Sequence, residues 1–257
     1  MSLKLKDRID VYQTSTDNKL LPRLPLVIVI NGRSFSKLTG LLDKPYCDKF
    51  SECIFSTMLR LCTDVEGAIF AYQYNDEIVL ITRNDQNPDT IPWYNNSIQK
   101  ICSITSSIAT LHFNRCAEAI ELNLMNEPIF ASQVFAVPNV AEAINTLIYK
   151  QQHNFHTSIQ FACFYELLKN YDKNTIINKL QGLNIKEKIN LLEQECNIDF
   201  TDYPDVFRRG GACYKVNKEI NGIVKEKWHL SNNIPIFTED QSFLTNIFKF
   251  GVNIYEN

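Results

Sequence analysis

Residues 25–30 read Pro-Leu-Val-Ile-Val-Ile, entered through Pro22 and Pro25 and stopped by Asn31-Gly32. A β-branched run with no polar alternation has no face to give to water, so it reads as a central strand buried on both sides. Such a strand needs neighbours on both edges and a sizeable core. The chain of 257 residues, 45% of them hydrophobic, can supply both within one large domain or a domain with a helical appendage.

After a loop holding Gly40 and Lys44-Pro45, the spacing of Phe50, Cys53, Ile54, Met58 and Leu61 predicts an amphipathic helix beginning near Pro45. Two apolar β-type runs then flank Tyr74-Asn75-Asp76-Glu77, the pattern of a hairpin. Residues 91–121 are helical in pattern, with Ile98, Ile101, Ile104, Ile108 and Leu111 on one face, and residues 129–137 alternate like a strand that ends at Pro138. Residues 139–171 suit one long helix or two, and 175–195 two short helices divided near Gly182. From about residue 210 the pattern is irregular. The order strand, helix, hairpin, helix, strand, helix is that of an α+β, ferredoxin-like palm: an antiparallel sheet with helices on one face, plus a C-terminal helical or irregular extension. We expect residues 1–138 to form the palm-like catalytic region and 139–257 to complete the same domain.

Composition narrows the function classes. No run of 18 apolar residues occurs and the first ten residues are rich in charge, so neither a membrane span nor a signal peptide is expected, and the cytoplasm is the expected compartment. Eight cysteines without a CxxC pair point to reduced, buried small residues rather than a disulfide scaffold or zinc cage. A net charge of −3 gives no whole-chain attraction for nucleic acid. Basic residues are local: Arg208-Arg209, and the stretch with Lys215, Lys218, Lys225 and Lys227.

Polar residues interrupt the strands at two places, Asn31-Gly32-Arg33 and Asp76-Glu77. In a palm these places lie side by side. Carboxylates there suit phosphoryl transfer, in which two divalent cations about 4 Å apart hold a triphosphate and the attacking oxygen; hard oxygen donors suit magnesium. An Asp-Glu pair in a hairpin also serves as plain turn chemistry.

The strings Ile30-Asn31-Gly32-Arg33-Ser34-Phe35, Lys44-Pro45 and Ala71-Tyr72-Gln73-Tyr74-Asn75-Asp76-Glu77 resemble, in order and spacing, the I-D-G-R-x-F, K-P and A-Y-G-Q-S-D-E motifs of the tRNA-histidine guanylyltransferases and their relatives. Leu20-Leu21-Pro22 also resembles that family's approach to its first strand. Residues 129–139 resemble its F-D-x-R-V-F-x-x-P strand, residues 150–168 fall where it has W-R-Q and a motif-bearing helix, and Phe207-Arg208-Arg209-Gly210-Gly211 resembles its late K-R-G segment.

The resemblance implies an enzyme that activates the 5′-phosphate of a tRNA with ATP and lets the 3′-hydroxyl of an incoming GTP or other nucleoside triphosphate attack that end, as in tRNA repair or guanylate addition to histidine tRNA. It implies two magnesium ions held by Asn31, the Gly32 carbonyl and Asp76, with Asp76, Asn31 and Glu77 catalytic. Gly32, Arg33, Ser34, Phe35, Lys44 and Asn75 would bind nucleotide, Lys44 as a point charge on a triphosphate. His156, Arg208 and Arg209 would face tRNA, and the assembly would be a homotetramer, a dimer of dimers. The sequence departs from the pattern at Asn31, where the family has its first metal aspartate, at Val29 for an arginine, at Ser36 for a histidine, and at Ala131 and Gln133 in the F-D-x-R motif. These departures favour the alternative of an impaired member that binds nucleotide or tRNA without turnover. A palm-fold cyclase is disfavoured, because the hairpin carries no G-G-D-E-F string.

Overall fold

The computed structural model describes residues 4–86, 89–220, 223–250 and 252–253. In chain order its elements are α1 (Leu5–Thr14), β1 (Leu26–Gly32), α2 (Phe35–Leu38), α3 (Asp48–Asp64), β2 (Ala68–Tyr74), β3 (Glu77–Thr82), α4 (Ile98–Ala119) and β4 (Phe130–Ala136). They continue with α5 (Val140–Leu167), α6 (Lys173–Leu180), α7 (Ile185–Cys196), α8 (Asp205–Arg209), β5 (Gly211–Ile220), β6 (Ile223–Ser231), α9 (Gln241–Phe250) and β7 (Val252–Asn253).

β1 is central, as its composition demands: β3 and β4 pair with it antiparallel, and the sheet runs β4-β1-β3-β2-β5-β6, with β7 parallel to β5. Strand alternation divides its side chains between two cores. Leu26, Ile28 and Ile30 join α3 and α4, while Val27 and Val29 join Ala143 and Leu147 of α5 and Leu244, Ile247 and Phe248 of α9. The palm's own helices α3 and α4 therefore lie on one face, as expected, and the C-terminal region covers the other. The first four strands carry the ferredoxin-like order, and β5, from beyond residue 210, adds to the edge of β2.

α4 is rotated from the expected face. Its buried stripe is Ile101, Thr105, Ala109, Phe113 and Ala117, while Leu111 is 54% exposed. Small residues let the helix lie close to β4, where the Thr105 hydroxyl donates to Ser132 Oγ at 2.9 Å. Residues 140–167 form one helix, capped by Asn139, whose side chain accepts from the Glu142 N–H. Its C-terminal half contributes Ile159, Ala162, Cys163 and Leu167 to a third core with α6, α7, Phe200 and Phe207. All eight cysteines are unpaired thiols, buried or half-buried, and among the described residues no helix is long and apolar enough to cross a membrane.

Candidate active site

The register opposes Asn31 to Glu77 across the β1–β3 pair, and the Gly32 N–H donates to the Asp76 carbonyl at 2.9 Å. The strand end and the hairpin turn thus abut. Asn75 closes the turn in the left-handed region, φ 49°, which asparagine tolerates better than most residues. Glycine is required at position 32 by contact: a Cβ there would lie 2.3 Å from the Phe35 ring. Ser34, at φ 59°, folds the chain back so that Phe35 tucks beneath Gly32 and meets Phe50, Phe113 and Phe130 edge-on, with ring centroids 5.1 to 5.9 Å away.

Above this floor lies a cleft of about 330 Å³ lined by Gly32, Ser34, Lys44, Asn75 and Asp76, and on its far side by Phe161 and Tyr165 of α5. Lys44 is half-buried; its ammonium donates to Thr39 Oγ1 at 3.0 Å and lies 5.7 Å from the Tyr165 ring centroid, and burial lowers its pKa. Burial, and secondarily the charge of Glu77, pushes the Asp76 carboxyl up to about 6, against a hydrogen bond to its own backbone that favours the anion. A cleft with a desolvated acid, a partly desolvated cation and aromatic side chains in its lining has the chemistry to take a polyanion that brings counter-cations with it.

The other expected site residues fall around this cleft rather than in it. Glu77 is tied to Lys150 of α5 at 2.8 Å, each about a fifth exposed, on the side of the sheet away from the cleft. Asn31 and Arg33 are exposed, and the Arg33 N–H donates to the Ile129 carbonyl at 2.8 Å. His156, Arg208 and Arg209 do come together, in a second cleft of about 600 Å³ with Tyr149 and His153. Both arginines are anchored there: each pairs with Asp205, Arg208 donates to the Tyr203 carbonyl at 2.8 Å and Arg209 to that of Ile234 at 3.2 Å.

Four of the five departures from the family pattern, all but Ser36, fall in two cross-strand pairs, Val29 with Gln133 and Asn31 with Ala131. Positions that carry two arginines and two aspartates in the family's motifs are all neutral here, as a set. Among the described residues no three His, Cys, Asp or Glu side chains gather as a metal cage. The oxygen donors at the cleft, the Asp76 carboxylate and the Gly32 carbonyl, suit magnesium that keeps much of its coordination from water and substrate phosphates, and Asn31, opposite Glu77, is outside the cleft lining.

Three residues of the site escaped sequence reading. Lys150 carries no signal that separates it from the chain's other lysines, and Phe161 and Tyr165, four apart on one side of α5, have the spacing of any apolar helix face.

The family described as tRNAHis guanylyltransferase matches residues 6–138. The chain is 26% identical over 226 residues to tRNA(His) guanylyltransferase 1 of Arabidopsis thaliana, covering 86% of this chain and 38% of that protein. It is 26% identical over 222 residues to a probable tRNA(His) guanylyltransferase of Dictyostelium discoideum, covering 82% and 84%. It thus spans under two fifths of the length of the Arabidopsis relative. A solved bacterial tRNA(His) guanylyltransferase-like protein in complex with ATP superposes with a TM-score of 0.83 at 25% identity, over 96% of this chain and all of that one. With the palm's strand end and hairpin turn hydrogen-bonded together at the head of a cleft and a family match over more than half its length, this chain belongs to the tRNAHis guanylyltransferase family.

Proposed function

We propose that the chain is a tRNA 5′-end nucleotidyltransferase working in the 3′–5′ direction. The observation that carries this is the joining of Gly32 to the Asp76 turn, with Lys44 facing both across one cleft. In the first half-reaction the tRNA 5′-phosphate attacks the α-phosphorus of ATP and expels pyrophosphate. In the second, the 3′-hydroxyl of GTP or another nucleoside triphosphate attacks the activated 5′-phosphorus and expels AMP. Lys44 holds the triphosphate as a point charge, its ammonium already oriented by Thr39. Phe35 and Gly32 form a rigid floor, and Asn75 and Ser34 line the approach. Asp76, the Gly32 carbonyl and Asn31 would hold magnesium, two ions by analogy with the family; magnesium supplies charge neutralisation on the phosphates and activation of the attacking oxygen. Glu77 acts through the turn it flanks, and His156, Arg208, Arg209 and the exposed Arg33 are the candidate contacts to tRNA. Residues 1–138 would carry the chemistry and 139–257 complete the domain, in a cytoplasmic homotetramer built as a dimer of dimers.

The neutral pair Asn31–Ala131 and the capture of Glu77 by Lys150 leave Asp76 as the one acid of the strand end and hairpin turn that lines the cleft. These observations favour a second function, binding of nucleotide and tRNA without turnover. Incorporation of labelled nucleotide into a tRNA lacking its first 5′ residue, with ATP and magnesium, separates the two. The enzyme predicts incorporation by the chain as it stands. Incorporation only by Asn31→Asp marks this sequence as an impaired form of an otherwise complete site. No incorporation by either, with ATP still bound, establishes the binding protein.

A further inference from the structure

We propose that Phe161, backed by Tyr165, is the wall on which the base of a bound nucleoside triphosphate stacks; this rests on the cleft being a nucleotide site. The two residues lie one turn apart on α5, with ring centroids 6.3 Å apart and planes at 73°. The neighbouring aromatics of α5, Phe155 and Phe164, turn into the third core. Phe161 does not: it is 38% exposed and lines the cleft. An aromatic left part-open in a cleft gains on being covered by a flat partner, because dispersion and apolar burial are then both recovered.

Lys44 fixes the polarity of the ligand. Lys44 lies between Tyr165 and Thr39, so the cation that takes the phosphates is adjacent to the rings that take the base. Gly32 and Asp76 line the same cleft and supply its oxygen donors. A nucleotide laid with its phosphates toward Lys44 and Asp76 brings its base to Phe161. Stacking on a ring face tolerates any base and favours the larger purines, since it reads area and not the hydrogen-bonding edge. The structure therefore assigns Phe161 as a positioning residue that selects purine over pyrimidine triphosphates.

The test compares ATP with inorganic tripolyphosphate, which carries the charge but no base, by calorimetry in magnesium buffer. Phe161→Ala should weaken ATP binding about tenfold and leave tripolyphosphate binding unchanged. Phe161→Trp should keep ATP affinity, and its added fluorescence should be quenched by ATP and not by tripolyphosphate. Unchanged ATP affinity in Phe161→Ala, or an equal loss for both ligands, would overturn the assignment while leaving the nucleotide site intact. Failure of the unmodified chain to bind either ligand would sink the nucleotide site itself, and the stacking wall with it.

Discussion

Asp76 shows how a single residue sets function against stability. Its pKa is raised from 3.8 to about 6 by burial, so the folded state binds its proton more tightly than the unfolded chain does. The sign follows: stability falls as pH rises between about 4 and 6, and the full cost of burying the charge is present above pH 6. A two-unit shift corresponds to at most about 3 kcal/mol. Asp76→Asn should thus raise the urea midpoint at pH 7.5, by the equivalent of about 1–3 kcal/mol, with the gain vanishing near pH 4, while it abolishes nucleotide addition. Loss of stability at pH 7.5 would show that the carboxylate is paid for by a contact burial alone does not reveal. Gly32 sits at the other side of the same hydrogen bond, and Gly32→Ala should cost about 1–3 kcal/mol in thermal unfolding, because the methyl would occupy the place of the Phe35 ring. Phe35→Leu in the same chain should return part of that loss.

Between elements, the Lys150–Glu77 pair joins α5 to the start of β3 beside the Asn75-Asp76 turn. Both side chains are about a fifth exposed, so breaking the pair leaves a partly desolvated carboxylate. Lys150→Met should destabilise by about 1–2 kcal/mol in urea unfolding, and Glu77→Gln added to it should restore most of that, a coupling a double-mutant cycle measures. That pair was invisible in the sequence because it joins residues 73 positions apart. What was legible is what depends on local pattern: β1, the hairpin, α3, and the divide near Gly182 between α6 and α7. The motif strings placed Gly32, Lys44 and Asp76, which the fold does bring to one cleft. α5 was ambiguous for a physical reason. The polar run Gln151-Gln152-His153-Asn154 breaks the apolar stripe, yet Gln151 and Asn154 are buried, Gln151 bonded to the Pro235 carbonyl and Phe237 N–H and Asn154 to the Tyr72 hydroxyl. β5 and β6 were missed because their lysines hide the alternation; Lys215, for one, lies over the Trp228 ring and pairs with Glu226. α4 misled because aliphatic size was taken for burial, where the close contact with β4 selects Thr105 and Ala109 instead.

At the scale of the whole molecule, the family match ends at residue 138, but the physics of the palm does not. The sheet face carrying Val27, Val29, Phe70, Tyr72, Val79 and Ile81 is covered by α5 and α9, and the edge of β2 by β5, all from beyond that residue. Uncovering six such side chains forfeits roughly 1.5–3 kcal/mol each, which together is comparable to the whole stability of an ordinary domain. The freed edge of β2 would also offer its unpaired backbone groups to other chains. Tyr72 adds a polar tie: its hydroxyl donates to the Arg209 carbonyl at 2.8 Å and accepts from Asn154 at 3.0 Å, and both partners lie beyond residue 138. A fragment of residues 1–138 should therefore be insoluble or molten, without a cooperative thermal transition, although it holds Gly32, Lys44 and Asp76. The third core is different in kind, because it is built from the C-terminal half of α5, α6, α7 and the segment through Phe207, with few ties to the sheet. Hydrogen exchange on the full chain should open α6 and α7 at lower free energy than β1 and β3. A soluble 1–138 fragment that melts sharply would mean that the palm carries its own stability, and that the second core serves the cleft and not the fold.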